Sequence, residues 1–88
     1  MPFAIYFHEK AAKELNKLDK PARERIKKEI EKLSEYAEKG KHLKHCNFWS
    51  LRIGDYRAIY EINKQENKII ILFIGHRKSV YEDFTKLF

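Results

Sequence analysis

Apolar positions change period three times along this chain. Residues 3–8 (FAIYFH) alternate, with Phe3, Ile5 and Phe7 on one face, as in a short strand. Residues 9–18 switch to helical spacing, and Ala11, Ala12, Leu15 and Leu18 form one stripe. Asp19-Lys20-Pro21 predicts a second helix start, with a capping side chain and a proline in the first turn. Ala22, Ile26, Ile30, Leu33 and Ala37 continue one face at steps of three and four, so this helix is expected to reach about Lys39. Gly40 then supplies a stop. Two helices joined by a tight turn form an αα-hairpin.

From residue 48 the period returns to two. FWSLRI (48–53), Gly54-Asp55 and YRAIYEI (56–62) predict a β-hairpin. KIIILFIG (68–75) is a continuous apolar run, expected of an inner strand covered on both faces. In the tail 79–88, Ser79 and Glu82 have capping-box spacing. A short terminal helix is predicted there, with Val80, Phe84 and Leu87 or Phe88 facing inward. The order β-α-α-β-β-β-α describes an α+β fold. Its αα-hairpin packs on one face of a small, mostly antiparallel sheet, and a short C-terminal helix follows.

The hairpin register decides which side chains meet. A two-residue turn sets Ile53 opposite Tyr56, and Trp49, Leu51, Ile53, Tyr56, Ala58, Tyr60 and Ile62 then share an apolar face toward the helices. Ser50, Arg52, Arg57, Ile59 and Glu61 share the other, where Arg52 and Arg57 are cross-strand neighbours. Like charges placed opposite each other repel, and an anionic ligand between them would give the arrangement a purpose. The competing reading is two solvated arginines splaying apart beside Glu61 and Asp55. A turn longer than two residues would change the register.

Charge sharpens the first reading. Eighty-eight residues suit one domain spanning 1–88, and 43% apolar content supports a thin core. Nineteen Lys and Arg against 13 Asp and Glu give a net charge of +6. Residues 1–40 are nearly balanced, with ten basic and eight acidic side chains. Residues 41–57 hold four Lys or Arg, two His and a single acid, Asp55, interleaved with Phe48, Trp49 and Tyr56. Such a patch is the footprint expected for a nucleic acid. Lys41, His42, Lys44 and His45 are its candidate substrate-binding residues. Lys78 joins them from Gly75-His76-Arg77-Lys78, three basic side chains between the inner strand and a helix start.

Other chemistries find little support. His42, His45 and Cys46 have no second cluster to complete a metal site, so no metal or other cofactor is expected. Cys46 is alone, which excludes intrachain disulfides and suits a reducing cytoplasm. Met1-Pro2-Phe3 does not open a signal peptide, and no run approaches membrane-span length.

Two segments carry a family resemblance. FWSLRIGDYRAIY (48–60), followed by IGHRKSVY (74–81), resembles the RelE toxins of the RelE/ParE superfamily. There the pattern is LWRLRxGDYRxxY, an apolar strand, then GHRxxxY. The similarity extends over nearly the whole chain, and Ser50 departs from it where a basic residue is usual. It implies a type II toxin that cuts mRNA in the ribosomal A site without metal. The RNA 2′-hydroxyl would attack the adjacent phosphate, leaving a 2′,3′-cyclic phosphate and a 5′-hydroxyl. On this resemblance Arg57 and Arg77 hold the phosphate, and Arg52 orients the backbone or assists the 2′-hydroxyl. Tyr81 stacks on or positions the nucleotide, and His76 is the candidate general acid. The implied partners are a RelB-like antitoxin and a ribosome with mRNA in its A site. Two alternatives stay open: a ParE-like inhibitor of DNA gyrase, and a basic nucleic-acid-binding module without chemistry.

Overall fold

The computed structural model describes residues 2–88. In chain order these form β1 (Ala4–Phe7), α1 (Glu9–Asn16), α2 (Lys20–Glu31), β2 (Lys41–His42), β3 (Phe48–Ile53), β4 (Tyr56–Asn63), β5 (Lys68–His76) and α3 (Val80–Leu87). The five strands make one sheet in the order β1-β5-β4-β3-β2. All neighbours are antiparallel except β1 and β5, so the α+β expectation of a mostly antiparallel sheet holds.

Each face of the sheet has its own core. Toward the helical hairpin lie Leu51, Ile53, Ala58, Tyr60, Ile69, Ile71 and Ile74, packed against Ala11, Leu15, Ile26, Ile30 and Leu33. On the opposite face Ile59 and Phe73 meet Val80 and Phe84 of α3. Burying each such large side chain stabilises by roughly 1.5–3 kcal/mol, enough to hold a two-turn helix that would be unstable alone. The apolar β5 is therefore an inner strand covered on both sides, as its composition requires.

The second helix is shorter than its periodicity suggests. It ends at Glu31, passes through a 3₁₀ turn at Lys32–Ser34, and breaks at Tyr36 (φ −129°, ψ 67°) before another at Ala37–Lys39. The residue leading into β1 competes for the backbone there: Phe3 N–H donates to the Ser34 carbonyl (2.9 Å), and the Ser34 hydroxyl donates to the Phe3 carbonyl (2.8 Å). Leu33 and Ala37 stay buried, so the apolar stripe survives without the helix. The first helix likewise stops at Asn16 rather than residue 18.

Three expected caps also differ. Neither Asp19 nor Ser79 makes a side-chain capping bond; the Ser79 backbone (φ −128°, ψ −3°) lacks the extended geometry that a capping box needs. Gly40 is not a left-handed cap, since its φ is −78° and its ψ −171°. It is required for close approach instead: a Cβ there would lie 2.7 Å from both the Ser50 carbonyl oxygen and the Tyr60 hydroxyl. At the terminus Phe84 is buried, while Leu87 and Phe88 are 45% and 49% exposed. Phe88 nonetheless stacks on Phe84 at 4.8 Å.

Tyr60 joins the two halves of the fold. Its buried hydroxyl donates to the Ala37 carbonyl (2.8 Å) and accepts from Gly40 N–H (3.1 Å). Burial pushes its ionisation above the usual tyrosine value, partly offset by the Gly40 hydrogen bond. A raised folded value means that the folded state holds this proton more tightly. The associated stability is complete below about pH 10, the unfolded value, and is lost as pH rises through the folded one. Tyr60→Phe orphans two backbone groups and should cost about 1–3 kcal/mol at neutral pH. Urea unfolding of both proteins from pH 7 upward should show the gap between them narrowing above about pH 10.

Candidate functional site

The hairpin adopts the register that sets Ile53 opposite Tyr56, so Arg52 lies directly across from Arg57. Gly54 (φ 60°) takes the positive dihedral at the first turn position, where a two-residue hairpin turn suits glycine. Arg52 folds toward this turn and its Nε donates to the Gly54 carbonyl (3.0 Å). From α2 the Arg25 guanidinium also reaches the turn, since a Cβ on Gly54 would sit 2.8 Å from its Nη1.

Beside the arginine pair lies Ser50, only 1% exposed. Arg57 Nη1 donates to its Oγ at 3.2 Å, and the Tyr81 hydroxyl donates to the same atom at 3.0 Å. Tyr81 arrives from the first turn of α3, which Val80 and Phe84 hold against the sheet. Across β2, Lys41 is the direct partner of Ser50 and adds a cation on that face. The result is a shallow cleft of about 350 Å³ lined by Lys39, Lys41, Ser50, Arg52 and Arg57. Among the described residues lining it none is acidic, so the cleft attracts an anion.

A β-bulge decides where the next basic residues go. Ile59 pairs with Phe73 and Tyr60 with Ile71, leaving Leu72 as the extra residue of β5. Every side chain after Leu72 therefore changes face. Gly75 falls opposite Arg57, and His76 opposite Tyr56. A side chain at 75 would meet Val80 at 3.1 Å, so glycine lets α3 settle there. The His76 ring meets Tyr56 edge to face at 6.0 Å on the helical side of the sheet, away from Arg57. Its Nδ1 accepts from Lys78 N–H (3.2 Å). Around it are Glu14, Lys17 and Asp83, in a groove of about 370 Å³.

Arg77 extends the pairing beyond β5. Its N–H donates to the Asp55 carbonyl (2.8 Å), and its Nε lies 3.6 Å from the Asp55 carboxylate. Both side chains are solvated, so this ion pair is weak and an anion could displace it. The structure thus brings Lys41, Arg52, Arg57 and Tyr81 together around Ser50, with Arg77 at the adjoining turn. It does not bring His76, His42, Lys44, His45 or Lys78 there. His42 stacks on Trp49 at 4.8 Å and its Nε2 lies 2.9 Å from the Cys46 carbonyl, while Lys44, His45 and Lys78 are exposed on turns. Ser50 and Lys39 are the site residues that motif reasoning missed. For Ser50 one signal existed, its place on the same hairpin face as the two arginines.

A family model described as the ParE toxin of type II toxin–antitoxin system, parDE, matches residues 5–81. The chain belongs to this toxin family. Among curated relatives of the toxin is the mRNA interferase toxin RelE of Escherichia coli (strain K12). The two are 28% identical over 92 residues, covering 98% of this chain and 97% of the relative. Solved structures agree. The toxin resembles a chain of the RelBE2 toxin–antitoxin complex from Mycobacterium tuberculosis, with a TM-score of 0.81 and 27% identity over 88% of this chain and 100% of that one. The archaeal RelE–RelB complex from Pyrococcus horikoshii OT3 gives 0.75 and 27% over 88% and 97%. The family description carries the ParE name and these relatives the RelE name; both lie within the RelE/ParE superfamily.

Proposed function

We propose that this type II toxin is an mRNA endonuclease that cuts on the ribosome by attack of the RNA 2′-hydroxyl. The observation that carries the reading is the convergence of Arg57 and Tyr81 on Ser50, at a cleft whose charged side chains are all cationic. In the reaction the 2′-oxygen bonds to phosphorus as its proton leaves, and the bond to the 5′-oxygen breaks as that oxygen gains a proton. Products are a 2′,3′-cyclic phosphate and a 5′-hydroxyl. Charge builds on the phosphoryl oxygens at the pentacoordinate stage, where the Arg57 fork and the nearby Arg52 and Lys41 stabilise it. Arg77 joins by exchanging Asp55 for phosphate. Tyr81 presents a 40% exposed ring to the nucleotide. Groups so placed supply charge more than acid–base power, so orientation of the RNA by the ribosome carries much of the rate.

Residues 1–88 act in this reading as one toxin domain in the cytoplasm, held inactive by a RelB-like antitoxin. No helix among the described residues is long and apolar enough to cross a membrane. The test is a cell-free translation reaction with mRNA ends mapped. Cuts in the A site with 5′-hydroxyl ends are expected, and much slower cutting of naked RNA. Ends bearing 5′-phosphate would contradict the chemistry. Intact mRNA together with inhibited DNA supercoiling would transfer the toxin to the gyrase-directed alternative.

A further inference from the structure

Apart from the Tyr60 phenol, Ser50 is the one buried polar side chain among the described residues. A buried hydroxyl gives no advantage over an apolar group unless it is hydrogen-bonded, and an alanine would fit the same strand position. Its partners are informative. Neither Arg57 nor Tyr81 is fully buried, so neither needs Ser50 to satisfy a desolvated group. They come from different elements, β4 and α3, and meet at one oxygen. A serine oxygen offers two acceptor lone pairs, and here one receives Arg57 and the other Tyr81. One of the five guanidinium N–H groups is used, and the rest remain for an anion.

We propose that Ser50 is a positioning residue, whose buried hydroxyl holds the Arg57 guanidinium and the Tyr81 phenol in fixed relation at the cleft. The inference rests on the RNA-cleavage reading and adds to it the group that aligns its two site residues. A buried residue fixed in a paired strand is a better anchor than solvent for a long, rotamer-rich arginine. Alignment of this kind acts on the rate of the chemical step and little on binding, because the charge of the cleft is unchanged.

The experiment compares wild type, Ser50→Ala and Ser50→Cys, which is close in shape and slightly larger but accepts hydrogen bonds poorly. Ser50→Ala should lower single-turnover cleavage on the ribosome about 10- to 100-fold. Affinity for the ribosome–mRNA complex should stay within about threefold. Side-chain NMR of Arg57 should change from restricted to free guanidinium rotation. In a background that carries Arg57→Ala and Tyr81→Phe together, Ser50→Ala should cost less than about twofold more, because both groups it positions are gone. Ser50→Cys repeats these measurements if the alanine variant does not fold. Ser50→Ala cleaving as fast as wild type overturns the inference alone, as does a full multiplicative loss in the background that lacks both the Arg57 guanidinium and the Tyr81 hydroxyl. A rate loss that follows melting temperature across both variants makes Ser50 structural and also overturns it. A wild type that leaves mRNA intact fails the cleavage reading first, and the inference falls with it.

Discussion

Arg57→Ala should lower single-turnover cleavage at least about 100-fold, the scale of losing one aligned electrostatic group in a transition state. The fold should survive, because Arg57 lies on the cleft face and Ser50 retains its bond from Tyr81. Arg57→Lys separates charge from geometry. It keeps a cation for the phosphate but loses the planar fork that grips two oxygens. Binding should therefore stay within about 1 kcal/mol, while cleavage still falls steeply. Kd at two salt concentrations and single-turnover rates on the same preparations make the comparison. His76→Ala provides the contrast. The bulge turns this ring to the helical face beside Tyr56, so its loss should cost less than about tenfold, against the 10²–10⁴-fold usual for a general acid. Equal losses at 57 and 76 would mean that the sheet rearranges on binding RNA.

Gly40→Ala should be the more damaging change to stability. The new Cβ would lie 2.7 Å from the Ser50 carbonyl oxygen, a backbone atom that cannot swing aside. Either β2 leaves β3 or the Gly40–Tyr60–Ala37 junction opens. Overpacking of this kind costs typically about 1–3 kcal/mol. For a domain of this length, that is a fall in Tm of about 4–8 °C per kcal/mol. Cleavage should fall as well, since Lys41 and Ser50 are the paired residues that would separate. Thermal melts and single-turnover rates on the variant test both effects. An unchanged Tm would show that the chain passes this point with more room than the structure gives it.

Local pattern decided most of the architecture. Period-two runs at 48–53 and 56–62 set the hairpin register once the turn is two residues long, which the structure shows it to be. Arg52 and Arg57 follow as neighbours, because alternation leaves no other arrangement once the apolar face is buried. Helical stripes at 9–18 and 20–39 likewise located α1 and α2 and the face each buries, though not where either ends. Competition with distant segments was not legible. Helix α2 stops early because Ser34 finds partners on Phe3, some thirty residues away in the chain. Strand β2 has two residues, too few for any period, and exists through its pairing with β3.

The bulge marks the boundary most clearly. The run IIILFI carries no alternation, so either face of β5 could hold any of its residues, and nothing in it reveals that Leu72 is extra. Only the fit of β5 between the hairpin core and α3 decides this. It sends Ile71 to one core and Phe73 to the other, lays Gly75 beneath Val80, and turns His76 away from Arg57. The burial of Ser50 has the same origin. Its position on the arginine face follows from register, but its enclosure depends on α3 bringing Tyr81 across that face. Sequence alone thus determined which residues are basic, which are apolar and that the segments on either side of Gly54-Asp55 form a hairpin. Tertiary packing decided which basic residues meet, because a side chain's face depends on every residue inserted before it and its burial on elements far along the chain.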